Sequence, residues 1–187
     1  MAFLIPSDFE TQLRTSIKEL LTVEDPNALQ KAEAIAIDEM KQYLSARYDM
    51  SSVFPEVSLY NVSKNFNQGE VVYHKETTQT ELEYKVYVSL VDSNQGNAVS
   101  DTNKWQARDP RNQFVKMLCI DILIYHKYAS RNLRTTPQHR IDRYNEAIEW
   151  LVEAGNGKNN NALPSKAIAD RKVEFRWGGY SKESHRY

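Results

Sequence analysis

Three capped prolines divide this chain more firmly than any other feature of its sequence. Asp25-Pro26, Asp109-Pro110 and Thr136-Pro137 each set a capping side chain before a proline at a first helical position, where the missing N–H costs nothing. Apolar residues at helical spacing follow every one of them. After the first come Leu29, Ala32, Ala36, Met40, Leu44 and Tyr48, about six turns ending near Asp49. After the second come Phe114, Met117, Leu118, Ile122, Tyr125 and Tyr128, and after the third Ile141, Tyr144, Ile148 and Leu151, with Gly155 as the expected C-cap. A further helix is expected from Ser7, where Ser7 and Glu10 match a capping box and Phe9, Leu13, Ile17 and Leu20 form a stripe. The economical architecture is a mainly α four-helix bundle built from residues 1–50 and 110–157.

Between Ser51 and Asp109 the period changes. Glu70–His74 and Tyr84–Leu90 are rich in valine and tyrosine and bounded by turn clusters at Asn67-Gln68-Gly69 and Asp92–Asn97, so they read as strands. Residues 51–109 are therefore expected to form a small three-stranded β module inserted between the second and third helices. Asn156–Asn161 reads as a flexible hinge, and residues 158–187 as an extended C-terminal arm. The arm keeps Leu163, Val173, Phe175, Trp177, Tyr180 and Tyr187, which a disordered linker ordinarily lacks. No internal repeat is visible.

The formal net charge of −1 conceals an asymmetry. Ser7 to Asp49 carry five basic and nine acidic side chains, a net of −4, whereas residues 158–187 carry seven basic and three acidic ones, a net of +4. An acidic body with a basic arm suits head-to-tail docking between copies or an acidic partner for the arm. Near-neutral total charge argues against bulk gripping of DNA or of an anionic membrane. No apolar run approaches the roughly 18 residues of a spanning helix, and the first six residues do not read as a signal peptide, so the Asn61-Val62-Ser63 sequon is taken as a chance triplet. A soluble protein of a reducing compartment is expected.

Residues suited to catalysis do not form a pattern. Cys119 stands alone between Leu118 and Ile120 and reads as a buried structural thiol, which leaves no disulfide framework. His74, His126, His139 and His185 are scattered without metal-ligand spacing, no glycine loop cradles phosphate, and Asp38-Glu39 reads as a solvated face. A non-enzymatic chain with no cofactor is expected. Asp121 lies among Ile120, Ile122, Leu123 and Ile124, so it needs a basic partner, for which Arg47 is the first candidate; the functional alternative is a proton relay. Tyr73, Tyr87 and Trp105 offer either a glycan-stacking or partner surface or the module's own core, the latter favoured in so small a unit. In the arm, Arg171, Lys172, Val173, Phe175, Arg176, Trp177, Tyr180 and Tyr187 mix charge with aromatic rings. Docking on protein is favoured there over nucleic acid, because Val173, Phe175 and Trp177 alternate as a strand would.

Three stretches carry a resemblance. Ala34–Tyr48 is similar to the second-helix signature of tailed-phage head–tail connector (portal adaptor) proteins of the Mu-like small neck type. Cys119–Tyr125 resembles the next helix of that family, and Tyr144–Leu151 followed by Gly157-Lys158 resembles the last, together covering residues 3–50 and 110–160. The resemblance implies a virion protein with a four-helix adaptor fold, assembled as a ring of about twelve identical subunits under the portal protein. It further implies an arm reaching the portal, contacts with downstream tail or stopper proteins, and genomic DNA passing through without sequence-specific binding. The insertion departs from that family. Gln68–Tyr73, Val86–Leu90 and Asn103-Lys104-Trp105 are similar to small chitin-type carbohydrate-binding modules, which makes a glycan-binding protein the second reading and an arm-driven nucleic-acid binder the third.

Overall fold

The computed structural model describes residues 2–10, 27–77, 82–130, 136–159 and 162–167. Within them lie five helices and one four-stranded sheet: α1 (Pro6–Glu10), α2 (Ala28–Leu44), α3 (Met50–Val53), β1 (Val57–Leu59), β2 (Val71–Thr77), β3 (Leu82–Ser89), β4 (Trp105–Ala107), α4 (Gln113–Ser130) and α5 (Gln138–Asn156). The fold is thus mixed, helix-dominated, with a β module between α3 and α4. Much of the expected first helix, including Leu13, Ile17 and Leu20, lies outside the described residues, as does Asp25-Pro26.

The helical body is organised around α4. Val115, Leu118, Cys119, Ile120, Ile122, Leu123 and Ile124 are all buried, so this helix is enclosed nearly all round rather than along one stripe. Phe114 and Tyr125, expected on its core face, are respectively exposed and half-buried. On α2 the stripe Leu29, Ala32, Ala36, Met40 and Leu44 is buried throughout, as the spacing predicts, but the helix ends at Leu44 rather than near Asp49; Tyr48, also buried, lies beyond it and bridges to Ser165. On α5 the innermost residues are Ala147, Leu151 and Ala154, small enough to let the helices close up. Gly155 is not the cap: it sits inside α5 against the Tyr43 carbonyl, where a Cβ would collide with backbone. The helix ends at Gly157, whose φ of 72° is the left-handed conformation that glycine adopts without a Cβ penalty.

The sheet has four strands where three are expected, in the order β1-β2-β3-β4. The central hairpin β2–β3 pairs Val71 with Val88 through Thr77 with Leu82. Two three-residue strands flank it, β1 parallel to β2 and β4 antiparallel to β3. Strand alternation splits the side chains into two faces. Val71, Tyr73, Tyr84, Val86 and Val88 pack with Val57 and with Ile5 from the N-terminal segment. Val72 and Tyr87 pack with Trp105 and Phe66 on the other face.

Module and body are joined by a buried ionic knot. Arg111 is 1% exposed at its side chain and donates from Nη1 to Asp8 Oδ2 at 2.6 Å and to the Phe3 carbonyl at 2.7 Å. Its Nε and Nη2 donate to the two Asp109 oxygens, each at 2.8 Å. Lys116 reaches the same two carboxylates at 3.0 Å each. Asp109 therefore does not cap α4, as the proline pattern predicts; Asn112 accepts from the N–H groups of Phe114 and Val115 instead. Burial opposes charge on Asp109, but the Arg111 hydrogen bonds and charge outweigh it and hold the carboxyl below its usual range. At the start of α1 the reaching side chain is Asp8, which accepts from Ile5 N–H at 2.8 Å, in place of the expected Ser7–Glu10 box.

Glu33 completes the tie. It is buried on α2 and accepts from the N–H groups of Phe3 and Leu4 at 2.6 and 2.9 Å. Burial raises its pKa from 4.5 in spite of those two bonds.

Arg111→Ala leaves two carboxylates short of a buried partner, and is expected to cost about 3 kcal/mol or more in urea unfolding. Because the folded protein holds the Glu33 proton more tightly than the unfolded chain does, the stability this group contributes is full below pH 4.5 and declines as pH rises through the folded value. Glu33→Gln removes that titration. The stability of wild type relative to the variant should therefore fall as pH is raised above 4.5, measured by unfolding at a series of pH values.

Candidate docking surfaces

Asp121 is buried, as its apolar neighbours predict, but its partners come from α5. Arg143 Nη1 donates to Oδ2 at 3.2 Å and Arg140 Nη1 lies 3.8 Å from Oδ1. The expected partner, Arg47, is exposed and lies across Gly157 at the far end of α5. The reason is geometric: residues 140 and 143, three apart, face α4 together, whereas Arg47 sits beyond the last turn of α2. Burial raises the Asp121 pKa despite both arginines.

The aromatic residues of the module do not form a platform. Trp105 is 2% exposed, its Nε1 donates to the Asn97 carbonyl, and its ring meets Phe66 and Tyr60 edge-on. Tyr87 is buried beside it, with its hydroxyl donating to Glu76. Tyr73 lies on the opposite face of the sheet, against Tyr84. A sugar stacks on an open ring face, and two of the three rings named in the sequence have none. They form the module's core, which a unit with so few residues must build from large side chains.

A polar cluster across three helices escapes sequence reasoning. Glu39 accepts from the Tyr144 hydroxyl at 2.7 Å and lies 2.5 Å from His126 Nε2, while Tyr125 stacks on Tyr144 with centroids 3.9 Å apart. Burial, reinforced by the bond to Glu39, pushes the Tyr144 hydroxyl far above its ordinary value, so it remains the donor. Of the pair read as a solvated acidic face, only Asp38 is exposed. Cys119 is wholly buried and desolvation pushes its thiol well up, the opposite of what a nucleophile needs.

Part of the acidity of the first 49 residues is drawn inward: among the described residues Glu33 is buried, the Asp8 side chain is 8% exposed and Glu39 is engaged, whereas Glu10 and Asp38 are exposed. The exposed part of α2 is Gln30, Lys31, Ala34, Ile35, Asp38 and Gln42, and α5 exposes Asp142, Glu146 and Glu149.

The arm is rooted on the body. Leu163 is buried in the main core, Asp49 N–H donates to the Pro164 carbonyl at 3.0 Å, and Lys166 N–H donates to the Arg47 carbonyl at 2.9 Å. Ser165 forms an antiparallel bridge with Tyr48. The hinge expected at 156–161 is therefore followed by a docked stretch at 163–166. The arm residues Arg171, Lys172, Val173, Phe175, Arg176, Trp177, Tyr180 and Tyr187 lie outside the described residues. Beside the root, Phe114, Trp150, Asn112, Ala162 and Leu163 line an apolar cleft of about 310 Å³. A second, polar cleft of about 360 Å³ lies where the ionic knot meets β3 and β4, with Lys85 and Arg108 at its rim.

Among the described residues no group of three His, Cys, Asp or Glu side chains could hold a metal ion, and no helix is long and apolar enough to cross a membrane. No family model, curated protein or solved structure matches this chain.

Asp121→Ala should destabilise the protein by around 3 kcal/mol. In double-mutant cycles read by chemical unfolding, Asp121 should couple to Arg140 and Arg143 by about 0.5 kcal/mol or more, and should be additive with Arg47.

Proposed function

We propose that this protein is a structural, non-enzymatic adaptor of the head–tail connector type, working in a tailed-phage particle. Helical bodies stand side by side as a ring under the portal protein, genomic DNA passes through without sequence-specific contact, and tail or stopper proteins attach below. The basic, aromatic arm ties each subunit to the portal or to a neighbour.

One observation carries this reading: the arm leaves from a built root. Leu163 plugs the core, and three successive residues, Pro164, Ser165 and Lys166, pair with the backbone at Arg47–Asp49. A tail with no mechanical duty needs no such fixing. Ordering the roughly 20 residues beyond it would cost about 1–2 kcal/mol each in backbone entropy, which a large partner surface can offset. The sequence resemblance supplies the identity of that partner.

The test is mass. Sedimentation of the full chain, alone and with the portal protein of the same particle, should show a ring-sized assembly in at least one case. Deleting residues 168–187 should leave single subunits with an unchanged melting temperature. Full chains that remain single subunits with the portal present would overturn the proposal.

A further inference from the structure

The apolar cleft beside the arm's root has the shape and surroundings of a socket. Phe114, in the first turn of α4, is 41% exposed, and its ring meets Trp150 edge-on at 5.0 Å. Leu163 closes one wall. On α5, Glu146, Glu149 and Glu153 lie within one turn of Trp150, and none of them has an ion-pair partner among the described residues. An apolar, aromatic cleft with carboxylates a turn away along the same helix suits an aromatic ligand flanked by positive charge.

This chain contains such a ligand. In Arg171-Lys172-Val173-Glu174-Phe175-Arg176-Trp177 the apolar residues Val173, Phe175 and Trp177 alternate in sequence, and three basic residues accompany them. We infer that the cleft receives Phe175 and Trp177 from the arm of a second copy, with Arg171, Lys172 and Arg176 meeting the α5 carboxylates. The inference rests on the ring assembly proposed above and names the contact that would join neighbours.

Three features favour a second copy over the chain's own arm. Pro164, Ser165 and Lys166, the next residues of the chain, pair with the Arg47–Asp49 backbone and do not line the cleft. The α5 carboxylates and the basic arm belong to different parts of one sequence, the arrangement that generates heterologous, ring-forming contacts. Within a ring, moreover, each arm meets its neighbour's cleft at high effective concentration, which offsets the entropy of ordering it.

The experiment mixes heavy-isotope-labelled and unlabelled full chains under assembling conditions, joins amines to carboxylates with a zero-length carbodiimide, and identifies the linked peptides by mass spectrometry. Lys172 should link to Glu146, Glu149 or Glu153, and about half of those links should pair a labelled with an unlabelled chain, the random-mixing share for contacts between copies. Phe114→Ser and Trp177→Ala should each reduce the link about tenfold or more, and Trp177→Ala should do so with an unchanged melting temperature. Links confined to chains of the same label would mean that each arm docks on its own body and would overturn the inference. So would ring-sized assemblies that lack the link, an outcome that leaves the connector reading standing. Chains that neither assemble nor link would overturn both.

Discussion

A single buried guanidinium holds the parts of this molecule in register. Arg111 gathers Asp8 from α1, the Phe3 carbonyl from the N-terminal segment, and Asp109 from the joint between β4 and α4. Those elements are about a hundred residues apart in sequence, and no apolar contact could fix their relative rotation as narrowly. The planar fork of arginine supplies several directed donors at once, which a lysine would not. With Lys116 and two carboxylates beside it, the charge is balanced and the desolvation cost shared. The Ala2–Val57 bridge and the two Glu33 bonds then fasten the N-terminal segment between sheet and bundle. The module is consequently a built-in part of the fold rather than a pendant.

How legible this was depends on how local the determining physics is. The α2 stripe from Leu29 to Leu44 was readable because burial on one face leaves a periodic trace, whereas the helix's end four residues before Tyr48 was not. The β2–β3 hairpin showed through its valine and tyrosine runs. By contrast, β1 and β4 have three residues each and owe their existence to neighbours, so no propensity could reveal them. In α4 the stripe was misplaced because nearly every position is apolar, and a helix buried all round has no preferred face in its sequence. Asp109 was taken for a cap because an Asp before a proline is a good local signal, yet a charged pair formed across the fold outranked it. Gly155 and Gly157 are two residues apart, and only the approach of α2 decides which one caps α5.

The site followed the same rule. That Asp121 needed a cation was readable from its isoleucine and leucine neighbours; which cation was not, because Arg47, Arg140 and Arg143 differ only in where the helices place them. Trp105 and Tyr87 illustrate a limit of reading aromatic residues as ligand surfaces, since burial, the decisive variable, depends on Phe66 and the loop around Asn97. The acidic surplus counted over the first 49 residues does not translate directly into surface charge: Asp8, Glu33 and Glu39 are engaged in internal bonds, while Asp142, Glu146 and Glu149 of α5 are exposed.

The manner of that rooting has a consequence for force. In the proposed adaptor, tension applied along the tail would enter the body through main-chain hydrogen bonds at Arg47 and Asp49 and through the Leu163 plug. Main-chain bonds are indifferent to side-chain identity, so in that reading the distal tail would be at liberty to drift in sequence and adopt new attachments while the anchorage keeps its strength. Strength of anchorage and choice of attachment would then be stored in separate stretches of polypeptide, and one could evolve without weakening the other.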